Sequence, residues 1–123
     1  MMTGIVNAKG EALIRIVVDD FGDRRMLIDA VIDTGYTGFL ILPTNTISEL
    51  ELPWTGREDV ILGDGSMYEF EVYSGRVIWD GEYCAIKIHA SHTETLVGTG
   101  ILYGYEVCIQ TIKDGEVKIQ LIS

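Results

Sequence analysis

The chain has 123 residues, 47% hydrophobic and 23% charged, which indicates one folded domain over residues 1–123 and excludes a disordered or fibrous protein. Its formal net charge of −10 at pH 7 repels phosphate backbones and anionic lipid surfaces, so we expect neither nucleic-acid nor membrane partners. No apolar run approaches the roughly 20 residues that span a bilayer, and the N-terminus lacks the basic start of a signal peptide. We therefore expect a cytoplasmic protein.

The first third of the chain predicts a β-hairpin whose second strand ends at an acid. Residues 12–19 and 24–32 are β-rich and are separated by the turn residues 20–23. The second strand runs through Val31 and Ile32 directly into Asp33, and apolar residues then resume at 39–43. Burying a charge costs several kcal/mol unless it is paired or hydrogen-bonded, so an acid in this position favours a functional interpretation.

The middle of the chain predicts one short helix followed by two successive hairpins. Residues 46–49 match the spacing of a helix capping box, and Pro53 limits the helix to about two turns. Strands are expected at 59–62, 67–79 and 82–90. The turns between them contain Gly63-Asp64-Gly65 and Asp80-Gly81, residue types that tolerate the positive φ angles of tight hairpins.

The last third repeats a motif and ends in a hairpin. Residues 96–100, Leu-Val-Gly-Thr-Gly, echo residues 31–35, Val-Ile-Asp-Thr-Gly, which suggests two related halves of which only the first keeps the acid. One helical turn is expected near 101–103, and a C-terminal hairpin at about 106–122. Cys84 and Cys108 lie in apolar stretches and are expected to be buried free thiols.

Two further patterns argue against a metal or a cofactor. His89 and His92 form a His-x-x-His pair without a Cys or an acid at ligand spacing, so no metal site is expected. Residues 98–100 are glycine-rich, but neither a lysine nor a long helix follows, as a phosphate-binding loop requires. We therefore assign neither metal nor cofactor.

The order of these motifs resembles the retropepsin-like aspartic proteases, specifically their small bacterial members. The matched features are the apolar strand into Asp33-Thr34-Gly35, the apolar stretch 39–43, the central hairpin, and Leu96-Val97-Gly98 before a short helix. They cover most of residues 12–110. The resemblance implies an all-β fold with one or two short helices, namely a closed acid-protease-type β-barrel that corresponds to a single pepsin-like lobe.

The resemblance also implies an aspartic endopeptidase that is active as a homodimer, with Asp33 of each chain meeting at the two-fold axis. At about 3 Å and an effective dielectric near 20, two ionised carboxylates repel by roughly 5 kcal/mol, or about 4 pK units, so one proton stays on the pair. The ionised acid then activates a water while the protonated acid polarises the scissile carbonyl of a peptide or protein substrate. In this pattern Thr34 locks the two active-site loops together, and Gly35 permits close approach of the substrate.

By position, Gly63, Asp64 and Gly65 would be the tip of a flap that closes over an extended peptide. An ordinary Asp-Gly hairpin is an equally open interpretation of the same residues. Tyr36, Asp64 and Gly100 depart from the family pattern. They motivate the alternative of a non-catalytic dimeric β-barrel that binds an extended peptide or protein segment, and a purely structural assembly module ranks third.

Overall fold

The computed structural model describes residues 1–123 as ten strands and two short helices. In chain order the elements are β1 (Met2–Val6), β2 (Ala12–Asp19), β3 (Arg25–Ile32), β4 (Leu40–Pro43), α1 (Thr44–Leu50), β5 (Trp54–Ile61), β6 (Met67–Trp79), β7 (Glu82–Ser91), β8 (Leu96–Val97), α2 (Thr99–Leu102), β9 (Tyr105–Ile109) and β10 (Glu116–Leu121). Neither helix has the length or the apolar character needed to cross a membrane. The prediction of a mostly β chain with one or two short helices is confirmed.

All ten strands belong to one sheet, in the order β5-β6-β7-β4-β8-β3-β2-β1-β10-β9. Strand β2 also pairs with β6, so the middle of the sheet curls into a partial ring. Strands β5 and β9 each have a neighbour on one side only and form the two edges of the sheet. The closed barrel that the resemblance implied is therefore present only as this partial ring.

The predicted hairpins form with short turns between paired strands. Strands β2 and β3 pair antiparallel as far as Asp19 opposite Arg25, and β5, β6 and β7 form an antiparallel meander. Asp80 (φ 51°) and Gly81 (φ 82°) connect β6 to β7, with Trp79 opposite Glu82. Two consecutive residues with positive φ match the twist of the flanking strands, so the Asp-Gly turn was readable from the sequence.

Helix α1 begins two residues before the predicted capping box. Its N-cap is Pro43, which offers no capping side chain, and the Thr46 backbone N–H bonds to the side chain of Asn45 instead. The capping-box prediction was wrong because β4 leads directly into a helix that begins at Thr44, so Thr46 lies inside the first turn and not at the N-cap. Strand β5 likewise begins at Trp54 rather than at residue 59.

Both cysteines are free, but the prediction that both are buried was wrong. Cys84 is half-buried on β7, whereas Cys108 is exposed. Cys108 lies on β9, and because β9 is an edge strand that covers little of the core, even apolar residues such as Ile109 remain exposed there.

The apolar interior has two parts. A cluster of 20 buried residues fills the space inside the curled sheet and beneath helices α1 and α2. A smaller cluster consists of Tyr36, Ile41, Val60 and Phe70. It joins the loop after β3 to β4 and to the β5–β6 hairpin. The apolar cluster therefore holds the segments that carry the predicted site residues against one another.

Candidate active site

Asp33 lies in a tight turn at the end of β3, in a segment that we call the Asp33 loop (residues 33–39). The Gly35 N–H donates to Asp33 Oδ1 at 2.9 Å, and the Tyr36 N–H donates to the Asp33 carbonyl at 3.2 Å. The carboxylate is half-buried, and its second oxygen has no hydrogen-bond partner within the chain. One oxygen therefore fixes the orientation of the side chain, and the other is available to another group.

Strand β8 holds the Asp33 loop from beneath. It pairs parallel with β3, Val31 opposite Leu96 and Ile32 opposite Val97, and the Asp33 N–H donates to the Val97 carbonyl at 2.9 Å. This is the register in which the two repeated pentapeptides align. Gly98, which follows Val97, is thus the counterpart of Asp33 in the second motif.

The second motif braces the loop through backbone groups. Three consecutive N–H groups donate to backbone carbonyls of the loop: Gly98 to Phe39 (3.1 Å), Thr99 to Tyr36 (2.9 Å) and Gly100 to Gly38 (3.0 Å). A Cβ on Gly100 would lie 2.8 Å from the Gly38 carbonyl oxygen. The glycine at position 100, which departs from the family pattern, therefore permits a backbone contact that holds the loop.

The hairpin predicted as the flap lies directly over the loop. A Cβ on Gly63 would be 3.5 Å from the Gly35 Cα, an ordinary contact distance, so the turn at 62–66 packs directly against the Asp33 loop. The Gly65 N–H closes the turn on the Leu62 carbonyl (2.9 Å), and Gly65 has a φ of 84°. The hairpin therefore covers one side of the Asp33 loop.

Asp64, at the tip of this turn, does not face Asp33. Its carboxylate accepts hydrogen bonds from the Ser66 hydroxyl and from the Ser66 N–H (2.9 Å). These two hydrogen bonds lower the pKa of Asp64, so it stays ionised and bound to its own turn. Its charge is engaged locally and lies outside the cavities described next.

A cavity of about 420 Å³ opens beside Asp33 beneath the hairpin. Its walls are mainly apolar, with a polar side formed by the loop after β7, and the lining residues are Asp33, Gly35, Tyr36, Ile41, Leu62, Gly63, Tyr68, Phe70, Ser91, His92, Thr93, Glu94 and Leu96. A second, more open cavity of about 590 Å³ shares Gly35, Leu62 and Gly63 with the first and continues along β5. An ionisable group beside an apolar recess can act on a bound chain whose side chains fill that recess.

The structure thus brings three of the six predicted site residues together. Asp33, Gly35 and Gly63 line the same cavity, whereas Asp64 and Gly65 belong to the turn above it. Thr34 is exposed, and its hydroxyl forms no hydrogen bond within the chain. The polar side of the cavity, residues 91–94, was not predicted, because no local sequence pattern marks a surface loop as part of a distant site.

A largely buried hydrogen-bonded network, which was not predicted either, links the Asp33 loop to β7 and β5, and we call it the Tyr36–His89–Glu58 network. The Tyr36 hydroxyl is hydrogen-bonded to His89 Nδ1, and His89 Nε2 contacts Glu58 Oε1 at 3.2 Å. Lys87 Nζ bonds the other oxygen of Glu58 at 2.9 Å. Tyr36 is 2% exposed and His89 1%. Tyr36 and His89 are 53 residues apart along the chain, and His89 and Glu58 are 31 residues apart, so no local sequence pattern reveals the network.

Electrostatics fix the direction of these hydrogen bonds. Burial lowers the pKa of His89 and raises that of Tyr36 far above its ordinary range, whereas the hydrogen bond from Lys87 lowers the pKa of Glu58. Histidine and tyrosine are therefore neutral beside an ionised carboxylate. Because a carboxylate only accepts, His89 carries its proton on Nε2, and its Nδ1 accepts from the Tyr36 hydroxyl.

We expect the folded state to lose stability as the pH falls below about 6.5. Burial gives His89 a lower pKa in the folded than in the unfolded chain, so below about 6.5 the unfolded chain takes up a proton that the folded chain excludes. This residue contributes a slope of at most about 1.4 kcal/mol per pH unit. Glu58, whose pKa is lowered, adds a loss in the same direction only below about 4.5.

Urea unfolding of wild type, His89→Gln and His92→Gln between about pH 7.5 and pH 5 measures this effect. His89→Gln should flatten the pH dependence. His92→Gln, which replaces the other histidine at an exposed position outside the network, should keep it. Equal slopes for wild type and His89→Gln contradict the prediction.

Comparison with solved structures finds the same overall fold in a crystal structure of a retropepsin-like aspartic protease from Rickettsia conorii. The TM-score is 0.60 at 16% sequence identity, over 99% of this chain and 91% of that chain. No protein-family model matches the sequence, and the search of curated proteins gave no significant match. At this identity the similarity establishes the fold alone. The chain therefore has a retropepsin-like aspartic protease fold.

Proposed function

We propose that the protein is an aspartic endopeptidase that works as a homodimer, with one Asp33 from each chain forming the catalytic dyad. The observation that carries the proposal is the Asp33 carboxylate. Gly35 fixes it through one oxygen, the other oxygen is free, and the residue lines a mainly apolar cavity beneath a hairpin. The retropepsin-like fold supports the same reaction.

A second copy of the chain is needed because one chain supplies only half of the dyad. Gly98 occupies the place in the second motif that Asp33 has in the first. A lone carboxylate can act as a general base, but it offers no proton to the scissile carbonyl. In the dimer, the exposed Thr34 hydroxyl of each chain supplies a hydrogen bond to the loop of the other.

The reaction then follows from the shared proton of the dyad. The ionised Asp33 removes a proton from a water held between the two carboxyl groups, and the protonated Asp33 donates to the carbonyl oxygen as the tetrahedral intermediate forms. The hairpin of β5 and β6 acts as the flap and covers the peptide once it has entered. Apolar side chains of the substrate occupy the recess lined by Ile41, Leu62 and Leu96.

The concentration dependence of cleavage tests this proposal. With a peptide library at mildly acidic pH, we expect the rate per chain to rise with protein concentration and to level off where sedimentation shows a complete dimer. Inhibitors of the pepstatin type should block the cleavage, because they mimic the tetrahedral intermediate. A constant rate per chain from a monomer contradicts the proposal, and peptide binding without cleavage supports the non-catalytic alternative.

A further inference from the structure

We infer that the Tyr36–His89–Glu58 network couples the flap to the Asp33 loop, with His89 as the positioning residue. The inference rests on the proposed function, since it gives these residues a role in that reaction. None of them needs to touch the scissile bond. Their role is to make the position of Asp33 depend on the position of the flap strand β5.

The network directly connects elements that are not neighbours in the sheet. Glu58 belongs to β5, which pairs only with β6 at the edge of the sheet. His89 belongs to β7, and Tyr36 belongs to the Asp33 loop, where its N–H bonds the Asp33 carbonyl. A movement of β5 therefore displaces Glu58, and through His89 it acts on the residue that holds the Asp33 turn.

Two glycines leave the space that the Tyr36 side chain occupies. A Cβ on Gly38 would collide with the Tyr36 hydroxyl, and one on Gly98 would lie 2.5 Å from the Tyr36 ring. On the other side, the His89 ring stacks on Phe70 with centroids 4.9 Å apart and planes at 29°. Both rings are therefore confined in position as well as hydrogen-bonded.

A role in packing alone would not need these polar groups. Burying a hydroxyl and an imidazole costs free energy unless each finds a partner, and an apolar residue in the same space avoids that cost. Here the polar groups that link the two rings are paired, and the network reaches Glu58, which is partly exposed on the flap strand and also bonds Lys87 of β7. Such a network transmits displacement because its geometry is directional.

The consequence for the proposed reaction is that flap closure and alignment of Asp33 occur together. When the flap lies against a bound peptide, Glu58 holds His89, His89 holds Tyr36, and the carboxyl group is kept where it can share a proton with its partner. When the flap lifts, the restraint on the loop weakens. The network should therefore affect the chemical step more than the binding of the peptide.

Hydrogen exchange of the flap tests the coupling without any need for activity. Tyr36→Phe removes only the hydroxyl at the loop end of the network. We expect amides of β5 near Glu58 to exchange about tenfold faster in this variant. Tyr105→Phe is the matched control, because Tyr105 packs against Trp79 and its hydroxyl forms no hydrogen bond within the chain. This control should leave the exchange of β5 unchanged.

Kinetics test the positioning role. Tyr36→Phe and Glu58→Gln should each lower kcat about tenfold while KM changes by less than about twofold, and Tyr105→Phe should alter neither. The double variant should lose no more than the larger single loss, because both changes break the same network. Glu58 is partly exposed, so Glu58→Gln keeps the test available even if Tyr36→Phe folds poorly.

The outcomes separate the two proposals. Unchanged exchange of β5 in Tyr36→Phe overturns the coupling whether or not the enzyme cleaves peptides, and additive losses of kcat in the double variant overturn it in an active enzyme. Faster exchange in a protein without any peptidase activity supports the coupling and refutes the proposed function. Faster exchange together with a selective, non-additive loss of kcat supports both.

Discussion

Replacing Asp33 with asparagine should abolish peptide-bond cleavage, with kcat at least about 10³-fold lower than in wild type. Asparagine keeps the side-chain oxygen that accepts the Gly35 N–H, so the turn should survive. What disappears is the carboxylate, and with it both the base that activates water and the acid that protonates the carbonyl. Kinetics on one cleaved peptide, with unfolding curves to confirm the fold, measure the effect.

Asp23→Asn is the matched control, because Asp23 is an exposed turn acid away from the cavities. It should retain wild-type kinetics. Mixing equal amounts of wild-type and Asp33→Asn chains should leave about a quarter of the dimers with two intact acids and thus halve the rate per wild-type chain. Cleavage that persists in Asp33→Asn, or that ignores the added variant, contradicts a dyad shared between two chains.

The second large effect is expected from Gly98→Ala, which should lower the free energy of unfolding by about 3 kcal/mol or more. The new Cβ would collide with the Gly38 carbonyl oxygen and would lie 2.7 Å from that of Tyr36. Backbone atoms cannot rotate away as a side chain does. The second motif would have to separate from the Asp33 loop, which breaks the backbone hydrogen bonds between them. Urea denaturation measures the loss.

Two further variants identify the cause of that loss. At Gly22 the nearest atom is Asp20 Oδ1, a side-chain oxygen 3.3 Å away rather than a backbone atom, so Gly22→Ala should change stability far less, by about 0.5 kcal/mol. A Cβ at Gly38 meets the Tyr36 side chain, so in a Tyr36→Ala background Gly38→Ala should cost little further stability, whereas Gly98→Ala, which meets backbone oxygens, should still cost it. A Gly98→Ala protein as stable as wild type would show that the loop and the second motif are not tightly packed.

The sequence predicts those parts of the fold that depend on neighbouring residues. Alternating apolar residues and turns such as Asp80-Gly81 place the hairpins, because both signals act within a few residues. Strand β1 was missed because it is defined by pairing with β2 and with the distant β10. The exposure of Cys108 likewise depends on β9 being an edge strand, and the order of strands in a sheet is a property of the whole chain.

The candidate site likewise contains one residue that the sequence alone can indicate and several that only the fold brings together. Asp33 could be singled out because a charge at the end of an apolar strand is unusual wherever that strand lies. The position of Gly63 above Gly35 is visible only in the folded chain. The same is true of Tyr36, which could have crowded the loop but packs beneath it. His89 gave no useful signal, since its partners Tyr36 and Glu58 become neighbours only when β5 and β7 are in place.

The open edge at β5 has a consequence for how the protein behaves in a crowded solution. An unpaired strand is a template on which other chains can stack into fibrils, and irregular backbone and charged side chains oppose such stacking. Strand β5 has a bulge between Trp54 and Gly56, followed by the consecutive charged residues 57–59. In the proposed enzyme, β5 belongs to a flap that must move to admit substrate, so this strand cannot be covered by a permanent neighbour. The bulge and the charges let it stay uncovered without seeding aggregation.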